Sequence, residues 1–268
     1  MKKLDIDELH RIVLNIAKEF HRICVENDIP YFIGYGTMLG AVRHKGFIPW
    51  DDDMDFYLPR KYWDKFLDVS EKKLNTPFKL VTAKNSWYPI AFAKIQDVRT
   101  LMDDPTMQHK KEGRIGIWID IFPLDQCSSD MKVVRPLMRK RIVIDHIITG
   151  TFYQLVDSKE RYYVSKLLKF LIQPTHDNML RWVEKKERIS RQVQMTGKGA
   201  FVCLYTIYKY KDIYPTNFFG KPKLYQFEDT KLFGVEHYDD YLKYMYGDYM
   251  QLPPENKRHI HAEDYYMK

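Results

Sequence analysis

Residues 34–56 join a glycine-bearing turn, Gly34-Tyr35-Gly36-Thr37, to a run of four carboxylates, Asp51-Asp52-Asp53 and Asp55, within one short stretch of chain. In an extended strand alternate side chains share a face. Asp51, Asp53 and Asp55 then point one way, while Met54, Phe56 and Leu58 point into a core. Successive members of such a row stand about 6.5–7 Å apart, within reach of one or two bridging divalent cations. Without a cation their mutual repulsion is a cost to the fold. A solvated acidic loop explains the charge but not its alternation with apolar residues directly after a Gly-Thr turn. The pattern predicts a half-buried strand over 51–58 and implies metal-assisted phosphoryl chemistry.

At 268 residues and 45% hydrophobic content the chain can fill the core of one large domain or two modest ones. Cys24, Cys127 and Cys203 lie far apart with no Cys-x-x-Cys spacing, which argues against a disulfide framework and a cysteine zinc site. The N-terminus meets Asp5 at once and no window reaches eighteen apolar residues, so neither a secretory signal nor a membrane span is expected. These features predict a cytoplasmic protein, with at most peripheral contact at the inner membrane face. The net charge of +7 is regional: residues 131–200 hold 15 Lys and Arg against 6 Asp and Glu, which leaves the remainder slightly acidic. That basic stretch, with Arg135, Arg139, Lys140 and Arg141 at its start, is either a solvated helical face or a surface for an anionic membrane or polyanionic acceptor. No nucleic-acid-binding motif accompanies it.

The first helix is signalled by Asp5 and Glu8 at capping-box spacing and by Leu9, Ile12, Val13, Ile16, Phe20 and Ile23 at helical period. A short strand at 29–33 enters the glycine turn, and Thr37 is expected to cap a helix that runs to about Lys45 and stops at Gly46. After the acidic strand, Pro59 opens another helix, followed by strands at 78–82, 90–96 and 115–122. This order predicts an α+β fold: a small mixed sheet with flanking helices over 1–130. Residues 131–268 should be mainly helical, with helices at 131–149, 158–172 and 177–194, and 215–268 should pack back near the first half.

Gly36 and Thr37 suit phosphate binding, because glycine admits close backbone approach and a helix N-terminus presents N–H donors. A third carboxylate is expected on another strand. Gly116-Ile117-Trp118-Ile119-Asp120-Ile121-Phe122 supplies Asp120 amid apolar neighbours, where metal coordination or backbone donors would offset the cost of burial.

The glycine turn, the segment Arg43-His44-Lys45-Gly46-Phe47-Ile48-Pro49-Trp50-Asp51-Asp52-Asp53 and the following Asp55 resemble the hallmark of the LicD family. Similar elements recur at Lys94–Thr100, Ile119–Asp125 and Tyr246–Pro254. The family is similar to nucleotidyltransferases in fold and includes phosphocholine transferases that modify teichoic acids or lipopolysaccharide, with fukutin-related ribitol-phosphate transferases as distant relatives. The resemblance implies transfer of a phospho-alcohol from a CDP-alcohol such as CDP-choline to a sugar hydroxyl of a surface-glycan precursor, with release of CMP. It makes Asp53, Asp55 and Asp120 the ligands of Mg²⁺ (or Mn²⁺), and Asp51 a further catalytic candidate. Either Asp51 or Asp120 would accept the hydroxyl proton. Gly36 and Thr37 would meet the nucleotide phosphates, while Arg43, Lys45, Lys94 and Arg99 would clamp the diphosphate or form structural ion pairs.

His44, His259 and His261 read as satisfied or exposed histidines. Trp50, Tyr35, Trp87, Tyr88 and Trp118 lie near the motifs, but most aromatics belong to the core, so no choline cage follows from their positions. Two other functions stay open: nucleotidyl transfer to a small alcohol or antibiotic, and an inactive module that binds polyanions.

Overall fold

The computed structural model describes residues 1–103, 114–153, 158–206, 208–258 and 264–268. The first part contains β1 (Lys2–Lys3), α1 (Ile6–Glu26), β2 (Phe32–Ile33), α2 (Tyr35–Arg43), β3 (Asp55–Pro59) and α3 (Trp63–Lys73). It continues with β4 (Phe78–Val81), β5 (Ala93–Asp97), β6 (Thr100–Asp103) and β7 (Trp118–Cys127). Three helices follow, α4 (Met131–Phe152), α5 (Lys159–Ile172) and α6 (His176–Gln194). The chain then forms β8 (Ala200–Cys203), β9 (Ile213–Pro215), β10 (Lys223–Phe227), β11 (Thr230–Gly234), α7 (Tyr238–Tyr246) and β12 (Asp264–Met267).

The fold is α+β. Its main sheet has nine strands among the described residues, with the path β10-β11-β2-β3-β7-β5-β4, with β8 paired to β7 and β9 paired to β8. The β3/β7 and β11/β2 pairs are parallel and the others antiparallel, so the sheet is mixed, as expected, but not small. It draws strands from both sides of residue 130. The helical stretch 131–194 is therefore an excursion between β7 and β8, which are themselves paired. The last segment rejoins the first through Gly234 opposite Ile33, and β12 lies between β1 and β6 in a separate three-stranded sheet.

Helix α1 begins with the predicted capping box: the Asp5 carboxylate accepts the Glu8 N–H at 2.8 Å and Glu8 accepts the Asp5 N–H at 3.3 Å. Its apolar stripe, Leu9, Val13, Ile16, Phe20 and Ile23, is buried, and Phe20 packs on Tyr31, Phe56 and Phe66. Phe56 and Leu58 thus fill the core beneath the acidic strand, each fully buried.

Three local expectations change. Strand β3 starts only at Asp55, so Asp51–Met54 precedes it without ladder pairing, and Pro59 ends the strand; α3 begins at Trp63 after one 3₁₀ turn. Helix α2 starts at Tyr35 with Gly34 as its N-cap. Thr37 therefore lies inside the first turn, buried, with its hydroxyl accepting the Asp55 N–H at 2.8 Å. That bond ties the glycine turn to the start of the acidic strand.

Candidate active site

The sheet register assembles the acidic centre. Asp55 on β3 stands opposite Asp120 on β7, and Asp120 stands opposite Lys94 on β5. Partners in register on neighbouring strands lie about 4.8 Å apart and point to the same face, so Asp55, Asp120 and Lys94 form one row across three strands. Lys94 Nζ donates to Asp120 Oδ1 at 2.5 Å and sits 4.1 Å from the Trp118 ring centroid. Asp51 and Asp53, from the segment before β3, join Asp55 and Asp120 in the lining of a cavity of about 500 Å³.

Asp51, Asp52 and Asp53 can each bring one oxygen within 4.8 Å of the others. Asp52, however, is buried and accepts the Tyr265 hydroxyl at 2.8 Å, outside the lining of the cavity. The alternation expected of a strand thus holds through a segment that lies before the strand ladder begins: Asp51, Asp53 and Asp55 line the cavity, while Asp52 and Met54 turn into the protein. Asp55 opens partly onto the cavity, yet desolvation pushes its carboxyl well above the ordinary carboxylate value. The Asp53, Asp120 and Asp51 charges add to the shift, and Lys94 opposes it. Four hard oxygen donors with one lysine among them match a divalent cation of the Mg²⁺ or Mn²⁺ type.

Of the residues expected to meet substrate, only Gly36 lines the cavity. A Cβ at Gly36 would fall 2.4 Å from Asp51 Oδ2, so a side chain there would displace that carboxylate. Lys94 reaches the centre through Asp120. Arg43 instead donates to the Tyr249 carbonyl at 2.7 Å, which anchors the segment 249–251 to α2. Lys45 is exposed with a φ of 62°, and its carbonyl accepts the Glu228 N–H. Arg99 is largely exposed and paired with Asp97 at 2.6 Å. Neither lies in the lining, which among the described residues contains no lysine or arginine. His44 packs edge-on to Trp50, and His259 and His261 fall outside the described residues.

The rest of the lining is mostly aromatic: Tyr35, Trp50, Phe92, Phe122, Tyr205, Tyr208 and Tyr246. Of the five aromatics near the motifs in sequence, Trp50 and Tyr35 reach the cavity, whereas Trp87, Tyr88 and Trp118 belong to a separate apolar cluster. Trp50 is backed by the Arg258 guanidinium, 4.7 Å from its centroid. Tyr35 stacks on Tyr208 with centroids 5.4 Å apart.

Behind this wall lies a polar network that sequence reading missed. Asp212, fully buried, accepts the hydroxyls of Tyr35 at 2.7 Å, Tyr214 at 2.8 Å and Thr206. Tyr57 links Tyr214 to Tyr241 at 2.9 and 3.1 Å, and Tyr241 accepts the Tyr35 N–H at 2.9 Å. Burial raises the Asp212 carboxyl above its ordinary value while the three hydroxyls pull it back, and burial drives the Tyr57 and Tyr214 phenols well upward, so they stay neutral. An isolated Asp between Lys211 and Ile213 carries no sequence signal for this role. Tyr246, by contrast, lies in a segment already singled out as family-like.

Residues 28–134 match the family model described as "LicD/FKTN/FKRP, nucleotidyltransferase domain". The chain is 32% identical over 267 residues to the "Lipopolysaccharide cholinephosphotransferase LicD" of Haemophilus influenzae, covering 97% of each. Shorter matches join it to uncharacterised proteins of Rickettsia typhi, 45% identical over 56 residues, and Rickettsia prowazekii, 52% identical over 40 residues. These cover 20% and 15% of this chain, and 18% and 15% of the two relatives. Since the Haemophilus match runs through the acidic centre, the helical excursion and the returning strands alike, the chain belongs to the LicD family.

Proposed function

We propose that the protein transfers phosphocholine from CDP-choline to a sugar hydroxyl of a lipopolysaccharide-type surface glycan and releases CMP. The observation that carries this reading is the meeting, in one cavity, of four carboxylates with a largely aromatic lining. The carboxylates suit a metal-bound diphosphate, and aromatic faces attract a quaternary ammonium. The printed name of the Haemophilus relative, a lipopolysaccharide cholinephosphotransferase, points the same way.

Asp53, Asp55 and Asp120 are the residues that would hold Mg²⁺ or Mn²⁺, which when bound neutralises them and draws charge from a phosphoryl oxygen. Lys94 holds Asp120 in the row by donating to its Oδ1. Gly36, in the first turn of α2, lets the backbone approach the phosphates at the cavity edge. The sugar oxygen attacks the phosphorus that bears choline, the bond from that phosphorus to the bridging oxygen breaks, and CMP leaves with the electron pair. The hydroxyl proton passes to Asp51 or Asp120, both of which line the cavity. The aromatic lining keeps water, a competing acceptor, from the reacting phosphorus.

We place the reaction on the cytoplasmic side, a reading supported by three buried free cysteines. Among the described residues no helix is long and apolar enough to cross a membrane. Incubation with CDP-choline, CDP-ethanolamine, CDP-glycerol or CDP-ribitol and a lipid-linked glycan, read by mass spectrometry, tests the proposal. It expects CMP and a phosphocholine-bearing acceptor from CDP-choline above all others. Pyrophosphate release from a nucleoside triphosphate would replace it with nucleotidyl transfer.

A further inference from the structure

Helix α5 is the least embedded helix of the excursion. Ser165 is its one buried residue, and its hydroxyl donates to the Gly150 carbonyl of α4 at 2.7 Å. Leu168 lies on the same side, against the position a Gly150 Cβ would occupy. At about 100° per residue, Tyr163, Leu167 and Phe170 fall roughly 140–160° from Ser165, on the face turned away from the protein. They are exposed, Phe170 by 79%, and Val164 and Leu171 widen the stripe. An outward row of large apolar side chains on a surface helix marks a binding face.

The surroundings indicate what it binds. Lys159 and Lys166 are exposed beside the stripe. Where α5 meets α6, Leu171 borders a groove of about 480 Å³ that also presents Arg181, Lys185 and Arg188 against a single carboxylate, Glu184. Lys185 Nζ rests 3.9 Å from the Trp182 centroid, so an aromatic and its cation face the same groove. Apolar side chains next to a cationic groove complement a lipid surface, with its acyl boundary and anionic headgroups. A helix of 14 residues is about 21 Å long, short of the roughly 30 Å hydrocarbon core, and so would lie along the surface.

We infer that α5 docks the protein on anionic bilayers: Tyr163, Leu167 and Phe170 enter the headgroup–acyl boundary, and Arg181, Lys185 and Arg188 hold anionic headgroups. The site lies in the basic region noted in the sequence but not on the cluster at its start. Arg141 of that cluster is buried and paired with Asp145 at 2.6 Å. The inference does not rest on the choice of donor or acceptor, because vesicle binding is measured without either.

The test is co-sedimentation of the full chain with vesicles of phosphatidylcholine alone or mixed with phosphatidylglycerol, at low and high salt. The parent should bind the mixed vesicles and release them at high salt. Combined Tyr163→Ser, Leu167→Ser and Phe170→Ser should weaken binding at least about tenfold without lowering the melting temperature, since these side chains already face solvent. Combined Arg181→Gln, Lys185→Gln and Arg188→Gln should abolish the preference for phosphatidylglycerol. A parent that ignores both vesicles, or a serine variant that binds as the parent does, would overturn the proposal. So would light scattering that finds a parent dimer and a serine-variant monomer, which would make this face an interface between copies.

Discussion

Asp55→Asn separates the two demands on the acidic row, because it removes a charge that the proposed reaction needs and that folding alone does not. In the metal-free protein Asp55 lies one strand spacing from Asp120. Two carboxylates about 5 Å apart repel by roughly 3 kcal/mol at an effective dielectric of about 20. Lys94, two spacings away, offsets about half of that. Asparagine keeps the shape and removes the repulsion, so the variant should gain about 1–2 kcal/mol, a rise of several degrees in melting temperature for a chain of this size. The sign with pH follows from the raised Asp55 carboxyl. Its cost is absent below the ordinary carboxylate range, where Asp55 is protonated folded and unfolded, and it appears as pH rises through the folded value. The gain of Asp55→Asn should therefore vanish in acid and open toward neutral pH. Added Mg²⁺ should raise the melting temperature of the parent and leave the variant nearly unmoved. Turnover should fall about a hundredfold or more, equivalent to roughly 3 kcal/mol of lost transition-state stabilisation. Calorimetry in chelator and in Mg²⁺, paired with CMP release, reads all of this. A variant less stable than the parent in chelator, or one that turns over normally at saturating Mg²⁺, would refute the reasoning.

Lys94→Met should act in the opposite sense, because it leaves Asp120 beside Asp55 with no cation. Breaking this nearly buried pair should cost about 3 kcal/mol in chelator, and saturating Mg²⁺ should restore much of it. Equal melting in chelator for parent and variant would count against the row. Asp212→Ala strips the shared acceptor from Tyr35, Tyr214 and Thr206, and should lower stability by about 2–4 kcal/mol. Because Tyr35 and Thr206 line the cavity, KM for the donor should rise more than kcat falls, whereas Tyr214→Phe should leave KM near that of the parent. Steady-state kinetics on both variants decide whether the network positions the wall or only supports the fold.

Much of the outline was legible from local chemistry. The capping box at Asp5 and Glu8, the apolar stripe of α1 and the three helices after residue 130 follow from patterns a few residues long, and the structure reproduces them with shifts of up to three residues at their ends. The alternation over Asp51–Phe56 also announced which acids would share a cavity, since adjacent side chains of an extended segment take opposite sides whether or not a neighbouring strand pairs with it. The resemblance carried by the glycine turn and the acidic run named the family.

Pairing between distant segments was not legible. Only the β3/β7 register puts Asp120 beside Asp55, and only the β7/β5 register hands Asp120 to Lys94 rather than to Arg99, five residues further along the chain. The cations near the motif in sequence went elsewhere for the same reason. Arg43 was drawn to the carbonyls of 249–251, and Arg99 stayed with its neighbour Asp97. Asp212, 177 residues from the Tyr35 hydroxyl it accepts, had no local signal at all. Sequence by itself determined which residues alternate, cap and carry charge, because those properties act over a turn of helix or two residues of strand. Tertiary structure decided which charges meet and which are screened, because a carboxylate's environment is set by strands and loops that arrive from anywhere in the chain.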